Sequence, residues 1–274
     1  GYWDQPKIMD DIQAIKKIVE NKITAEEPYS SDADVLYVCD TESSYYTASL
    51  NNQNPMTVLS VDWGTLAAFR SGIAFDAIHL ADLNKVNLKQ YKTVIFGNTY
   101  KFSRKQKDYI KEHVEKDNRH LIWTYAPAFV ENDSLNIAAI SELVGIDLKQ
   151  TTLSDTVRLV LSSEPAQFLA QQDSVISMVY KKSFSPAFAV EDKEATPLGY
   201  YKENGQVALA YKKFNNYTSW YIAAPAKEEK NNILRYIISQ TDAHQYINDP
   251  SAVVYAGWGM LFYYNYFRKS NEKR

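Results

Sequence analysis

Apolar residues along the chain first follow a helical beat. Ile8, Ile12, Ile15 and Val19 recur at spacings of three and four within residues 4–22, DQPKIMDDIQAIKKIVENK. That spacing predicts an amphipathic helix, with Asp4 as N-cap and Pro6 inside the first turn. Residues 24–33, TAEEPYSSDA, read as a polar linker. Short apolar runs then alternate with longer periodic segments. Asp34–Cys39, Phe75–Leu80, Lys92–Gly97 and His120–Tyr125 have the length and composition of buried strands. Between them, Val58–Ser71 predicts a helix stopping at Gly72, and Leu135–Val144 one stopping at Gly145. Ser103 predicts the cap of a helix over SRKQKDYIKEHVEKD, with Gln106 at the capping-box position and Tyr109, Ile110 and Val114 inward.

Alternating strands and amphipathic helices predict a parallel sheet covered on both faces. The expected fold class is α/β, a flavodoxin-like, doubly wound, mostly parallel sheet. The pattern changes after residue 150. Thr156–Leu161, Ser174–Tyr180, Ala187–Val190, Thr196–Tyr201 and Gln206–Lys212 look like strands, with Glu203-Asn204-Gly205 as a hairpin turn. Residues 151–222 are thus expected to be a β-rich insertion or extension. Tyr217–Ala223 and a helix over Lys227–Gln240 read as a last βα unit of the core. His244–Ile247, Ala252–Tyr255 and Met260–Phe267 read as a terminal β segment. The expected division is 1–33 leading helix and linker, 34–257 α/β domain, and 258–274 final strand and tail.

Composition narrows the class of function. A net charge of −3 over 274 residues leaves no footprint for nucleic acid and gives no support for a membrane-surface role. No apolar run approaches the length of a membrane span, and no signal peptide is visible. The chain starts at Gly1 rather than Met, which suggests an excised or processed piece. The compartment is left open. Tyrosine is abundant, 21 residues beside five Trp and 11 Phe, and it suits interfaces and sugar-facing surfaces.

Candidate chemistry is sparse. No G-x-S-x-G or G-x-C-x-G occurs, so no nucleophile elbow of that form is present. The single cysteine, Cys39, is followed by Asp40 and Glu42, whose charge opposes a reactive thiolate. It reads as a core residue. Asp40 and Glu42, two apart, would share a face if the strand continued. With Ser43, Asn98, Thr99 and Tyr125 they stand just beyond strand ends, where open α/β sheets hold ligands. His79, His113, His120 and His244 follow no metal-binding spacing. Neither a metal nor a cofactor is expected. No phosphate loop occurs, and Gly257-Trp258-Gly259 reads as a turn before an aromatic strand. The sequons at Asn132 and Asn216 read as chance.

Several segments together resemble one family. DVLYVCDTESSYY (34–46), AFDAIHLADL (74–83), YKTVIFGNTYKFSRKQKDYIKEHV (91–114), HLIWTYAPAF (120–129), ISELVGIDL (140–148) and DAHQYINDPSAVVYAG (242–257) are similar, in order and spacing, to the class I glutamine amidotransferase-like domain of bacterial β-galactosidases. This is the trimerisation domain of the glycoside hydrolase family 42 type. True amidotransferases place a Cys nucleophile at one strand tip and a His-x-Glu pair late in the chain. Here the tip is Tyr125-Ala126-Pro127-Ala128, and His244 is followed by Gln245 and Tyr246. The resemblance therefore implies no catalytic residue in this chain. It implies a partner instead: self-association, as in a trimer, or packing on a separate catalytic barrel. The alternative is a sugar or small-ligand module using Asp40, Glu42, Ser43, Asn98, Thr99, Tyr125 and His244. An amidotransferase-like hydrolase is a remoter third.

Overall fold

The computed structural model describes residues 5–22, 30–47, 62, 64–154, 156–170, 174–178, 185–225 and 232–265. Several expectations lie outside them: Asp4 as a cap, residues 24–29 of the linker, the start of the helix from Val58, residues 179–180, the stretch 227–231, and the tail beyond 265.

The elements run α1 (Pro6–Lys22), β1 (Val35–Cys39), α2 (Gly64–Phe69), β2 (Phe75–His79), β3 (Thr93–Phe96), α3 (Arg104–Tyr109) and β4 (Arg119–Thr124). The hairpin β5 (Val130–Glu131) and β6 (Ser134–Leu135) leads into α4 (Ile137–Val144). The β-rich part holds β7 (Leu148–Thr151), β8 (Arg158–Leu161), α5 (Ser163–Phe168), β9 (Val175–Ser177), β10 (Ala187–Val190), β11 (Thr196–Tyr201) and β12 (Val207–Lys213). The chain closes with β13 (Tyr217–Ile222), α6 (Ile233–Ser239), β14 (Ala252–Gly257) and β15 (Met260–Asn265).

One eleven-stranded sheet organises the molecule. Its parallel part has the order β2-β1-β3-β4-β13. This is the flavodoxin-like order 2-1-3-4-5, with β13 as the fifth strand. β12, β11, β8 and β9 continue the same sheet antiparallel, while β10 pairs with β12 and β7. The β-rich region is therefore an extension of the core sheet, inserted between β4 and its neighbour β13. Strands enclosed on both faces need apolar residues on both. Val35, Leu36 and Val38, then Val94 and Phe96, then Leu121, Ile122 and Trp123 are accordingly all fully buried. Phe96 and Trp123 stack with ring centroids 4.0 Å apart.

The expected punctuation is present at several points. Ser103 and Gln106 form the full capping box of α3. Gly145 ends α4 in the left-handed region at φ 72°. Gly72, at φ 72° after α2, also has no room for a side chain, because a Cβ there would lie 1.8 Å from the Ile247 carbonyl oxygen.

Other expectations are corrected. The helix from Ser103 is not one regular α-helix, since Ile110–Val114 forms a π turn. Buried Arg119 ties the end of that turn to the segment before β3, donating from Nη1 to the Val114 carbonyl (2.8 Å), from Nη2 to Leu88 (3.0 Å) and from Nε to Tyr91 (2.8 Å). Leu135 lies in β6 rather than in α4, because Asn132-Asp133, both at positive φ, make a two-residue hairpin turn before it. His244–Ile247 is not a strand: it makes a single bridge, Ile73 to Gln245. Asp40 and Glu42 do not share a strand face, because β1 stops at Cys39 and residues 42–46 form a 3-10 turn. α5 was not anticipated.

Candidate functional site

In a sheet of this order, ligands bind beyond the carboxyl ends of β1 and β3, where the strand order reverses. Asp40 and Asn98 occupy that point, and they face each other. The Asp40 N–H donates to Asn98 Oδ1 (2.9 Å), and Asn98 Nδ2 donates back to the Asp40 carbonyl (2.6 Å). Asp40 Oδ2 accepts from the backbone N–H (2.9 Å) and hydroxyl (2.5 Å) of Ser43. Ser43 Oγ in turn accepts from the N–H groups of Tyr100 (2.8 Å) and Lys101 (3.2 Å). His79 Nε2 stands 3.2 Å from Asp40 Oδ1, while its Nδ1 accepts from the Ala81 N–H. The same Nε2 also accepts from the Thr41 N–H (3.1 Å) and lies 2.9 Å from the Thr41 hydroxyl.

Asp40, Ser43 and Asn98 are thus buried and spent on one another. They tie the loop after β1 to the loop after β3. Thr99 is buried beside them, and its hydroxyl has no partner among the described residues. Glu42 is exposed on the 3-10 turn. His244 is not brought to this cluster. Its N–H donates to Asp34 Oδ2 (2.9 Å), which precedes β1 and so lies at the opposite end of that strand. Cys39 packs against the core, donates to the Ile78 carbonyl (3.3 Å), and has its thiol pKa pushed up by burial and by Asp40.

Tyr125 holds the tip of β4 and is the residue with the most to say about chemistry. It lies in the left-handed region at φ 63°, which a bulky side chain rarely adopts. A sharp, strained strand-to-turn position is the backbone form that a nucleophile elbow uses. Here the side chain is a phenol, whose pKa burial raises far above its ordinary value. Its hydroxyl donates to the Pro186 carbonyl (2.9 Å), and its own carbonyl accepts from the Tyr221 hydroxyl (2.6 Å). Its ring packs edge-on to Tyr100 and against Phe188. The position serves as an anchor between the parallel core and β10. No group of three or more His, Cys, Asp or Glu that could hold a metal ion occurs among the described residues. No helix among them is long and apolar enough to cross a membrane.

Solved structures share this architecture. The β-galactosidase of Bacillus circulans sp. alkalophilus matches 96% of this chain with 40% of its own, at a TM-score of 0.66 and 17% identity. That of Rahnella sp. R3 matches 92% with 38% of its own, at 0.63 and 16%. That of the Antarctic haloarchaeon Halorubrum lacusprofundi matches 90% with 36% of its own, at 0.62 and 12%. This chain has the fold of one region of those β-galactosidases and spans about two fifths of their length or less. No protein-family model and no curated protein matches the sequence.

Proposed function

We propose that this chain is a non-catalytic α/β domain of a glycan-degrading glycoside hydrolase of the β-galactosidase kind. It packs on the enzyme's catalytic part or on further copies of itself. The observation that carries this reading is an exposed apolar surface contributed by α1 and the β14–β15 hairpin.

On α1, Met9, Ile12, Ile15 and Ile18 are exposed, Ile15 by 58%. Of the helical repeat Ile8, Ile12, Ile15 and Val19, the two middle residues are thus exposed and the outer two half-buried. On the hairpin, Tyr255, Leu261, Phe262, Tyr263 and Tyr264 are exposed, Tyr264 by 62%. Val19 of α1 and Phe262 of β15 line one shared hollow, so the two elements meet. By register Tyr255, Phe262 and Tyr264 share one face of the hairpin and Leu261 and Tyr263 the other, and neighbouring exposed apolar residues mark contact surfaces. Aromatic enrichment points the same way. The fold likeness to part of larger β-galactosidases supports the same assignment.

The test is light scattering and limited proteolysis of the full-length enzyme carrying Ile15→Lys and Tyr264→Lys together. A lower assembled mass, or faster proteolytic release of this domain, is expected. Unchanged mass, proteolysis and activity would overturn the reading.

A further inference from the structure

A second site lies at the other end of the sheet. We propose that the cleft at the N-terminal ends of β4 and β13 binds a neutral sugar ring. It measures about 370 Å³, within the range of small-ligand sites. Its floor is one face of the sheet. Register places Lys213 opposite Thr218 and Tyr211 opposite Trp220, with Thr218 beside His120. Those side chains line the cleft, and Glu164 of α5 with Tyr236 of α6 form the facing wall.

Two properties select the ligand. The first is aromatic surface. Half-buried Tyr211 and Tyr217 line the cleft, and buried Trp220 backs Tyr211 with ring centroids 4.7 Å apart. Aromatic faces are electron-rich and apolar, which suits the C–H face of a pyranose. The second is a mixed polar rim. Asp242 accepts, Lys213 donates, and Gln240 does both, while Glu164 is already hydrogen-bonded to Tyr236. Trp220 Nε1–H donates to His120 Nδ1 (3.0 Å). The neutral imidazole therefore keeps its proton on Nε2, a further donor.

The same groups argue against charged ligands. Two carboxylates repel an anion. A cation would have to displace the Lys213 ammonium from its place 5.9 Å over the Tyr211 ring. A polyhydroxylated, uncharged ring meets neither penalty and uses both donors and acceptors. This cleft is separate from the apolar surface of α1 and β14–β15, so the two proposals fail independently.

The experiment is saturation-transfer NMR on the full chain with methyl β-galactopyranoside, methyl β-glucopyranoside and methyl α-mannopyranoside. Choline and inorganic phosphate serve as charged contrasts. At least one glycoside should receive saturation. Asp242→Ala and Gln240→Ala alter exposed positions and should leave the fold intact by circular dichroism. Each should weaken that glycoside about tenfold, the effect of one lost hydrogen bond to a charged or amide group. Three results would overturn the proposal: no glycoside receives saturation at tens of millimolar; choline or phosphate binds in its place; or both variants bind the glycoside as the wild type does, which would put the sugar elsewhere.

Discussion

The phenol of Tyr125 and the carbonyl of Pro186 are joined by a 2.9 Å hydrogen bond across 61 positions of sequence. One end is the tip of a core strand and the other is the entry to β10. Tyr125→Phe keeps the ring contacts with Tyr100 and Phe188 but leaves that carbonyl without its donor. A loss of about 1–2 kcal/mol is expected in urea unfolding. An unchanged midpoint would mean that water replaces the phenol at no cost.

Tyr125→Cys tests the chemistry instead of the stability. It puts a thiol on a strained strand tip, but His244 lies at the far end of β1. No glutaminase activity is expected, measured as ammonia released from glutamine. Release above the wild-type level would show that a base does reach this point.

Ser43→Ala removes both a donor to Asp40 and the acceptor of two backbone N–H groups. Ser43 is fully buried, so the Tyr100 N–H loses its partner away from water. The expected loss is about 2 kcal/mol, read from thermal or urea unfolding. Faster proteolysis within residues 41–47 should accompany it. A variant as stable as the wild type would show that the loops after β1 and β3 are held by other contacts.

His120 gives a pH dependence. Burial lowers its pKa, Lys213 lowers it further, and Asp242 partly opposes them. The unfolded imidazole titrates near 6.5, so the unfolded chain takes up the proton more readily. Stability from this residue is therefore full above about pH 6.5 and falls as pH drops through that value toward the lower folded one. His120→Asn keeps an acceptor for Trp220 and removes the titration. Between pH 7.5 and 5 the wild type should lose more unfolding free energy than the variant. Parallel curves would contradict the assignment.

Much of the fold was legible because burial on both faces forces long apolar runs. Val35–Cys39 and Ala187–Val190 announce themselves that way, and Ser103 with Gln106 marks a helix start by its own chemistry. α5 did not, because six residues holding Glu164, Pro165 and Gln167 show no helical repeat. Arg119 carries no apolar signal of its own in the sequence. Backbone carbonyls from two segments and the Asp117 carboxylate (3.3 Å) converge on it and make burial of a guanidinium tolerable. At the strand ends, the sequence placed Asp40, Asn98 and Tyr125 correctly beside the sheet. It could not show that the first two bond to each other, or that Tyr125 has a left-handed backbone. The sugar cleft was not anticipated. His120 and Trp220 lie 100 positions apart, and no local spacing connects them.

The position of β13 in the sheet also gives the fold a long loop to close. Ile122 pairs with Trp220, 98 positions later in the chain. Strands β1 to β4 can assemble from neighbouring βα units, but the fifth parallel strand arrives only after the whole antiparallel excursion has been threaded. Closing so large a loop costs entropy before any contact repays it. The middle of the finished sheet is therefore zipped late, and a growing chain halted near residue 200 would leave β4 as an open edge.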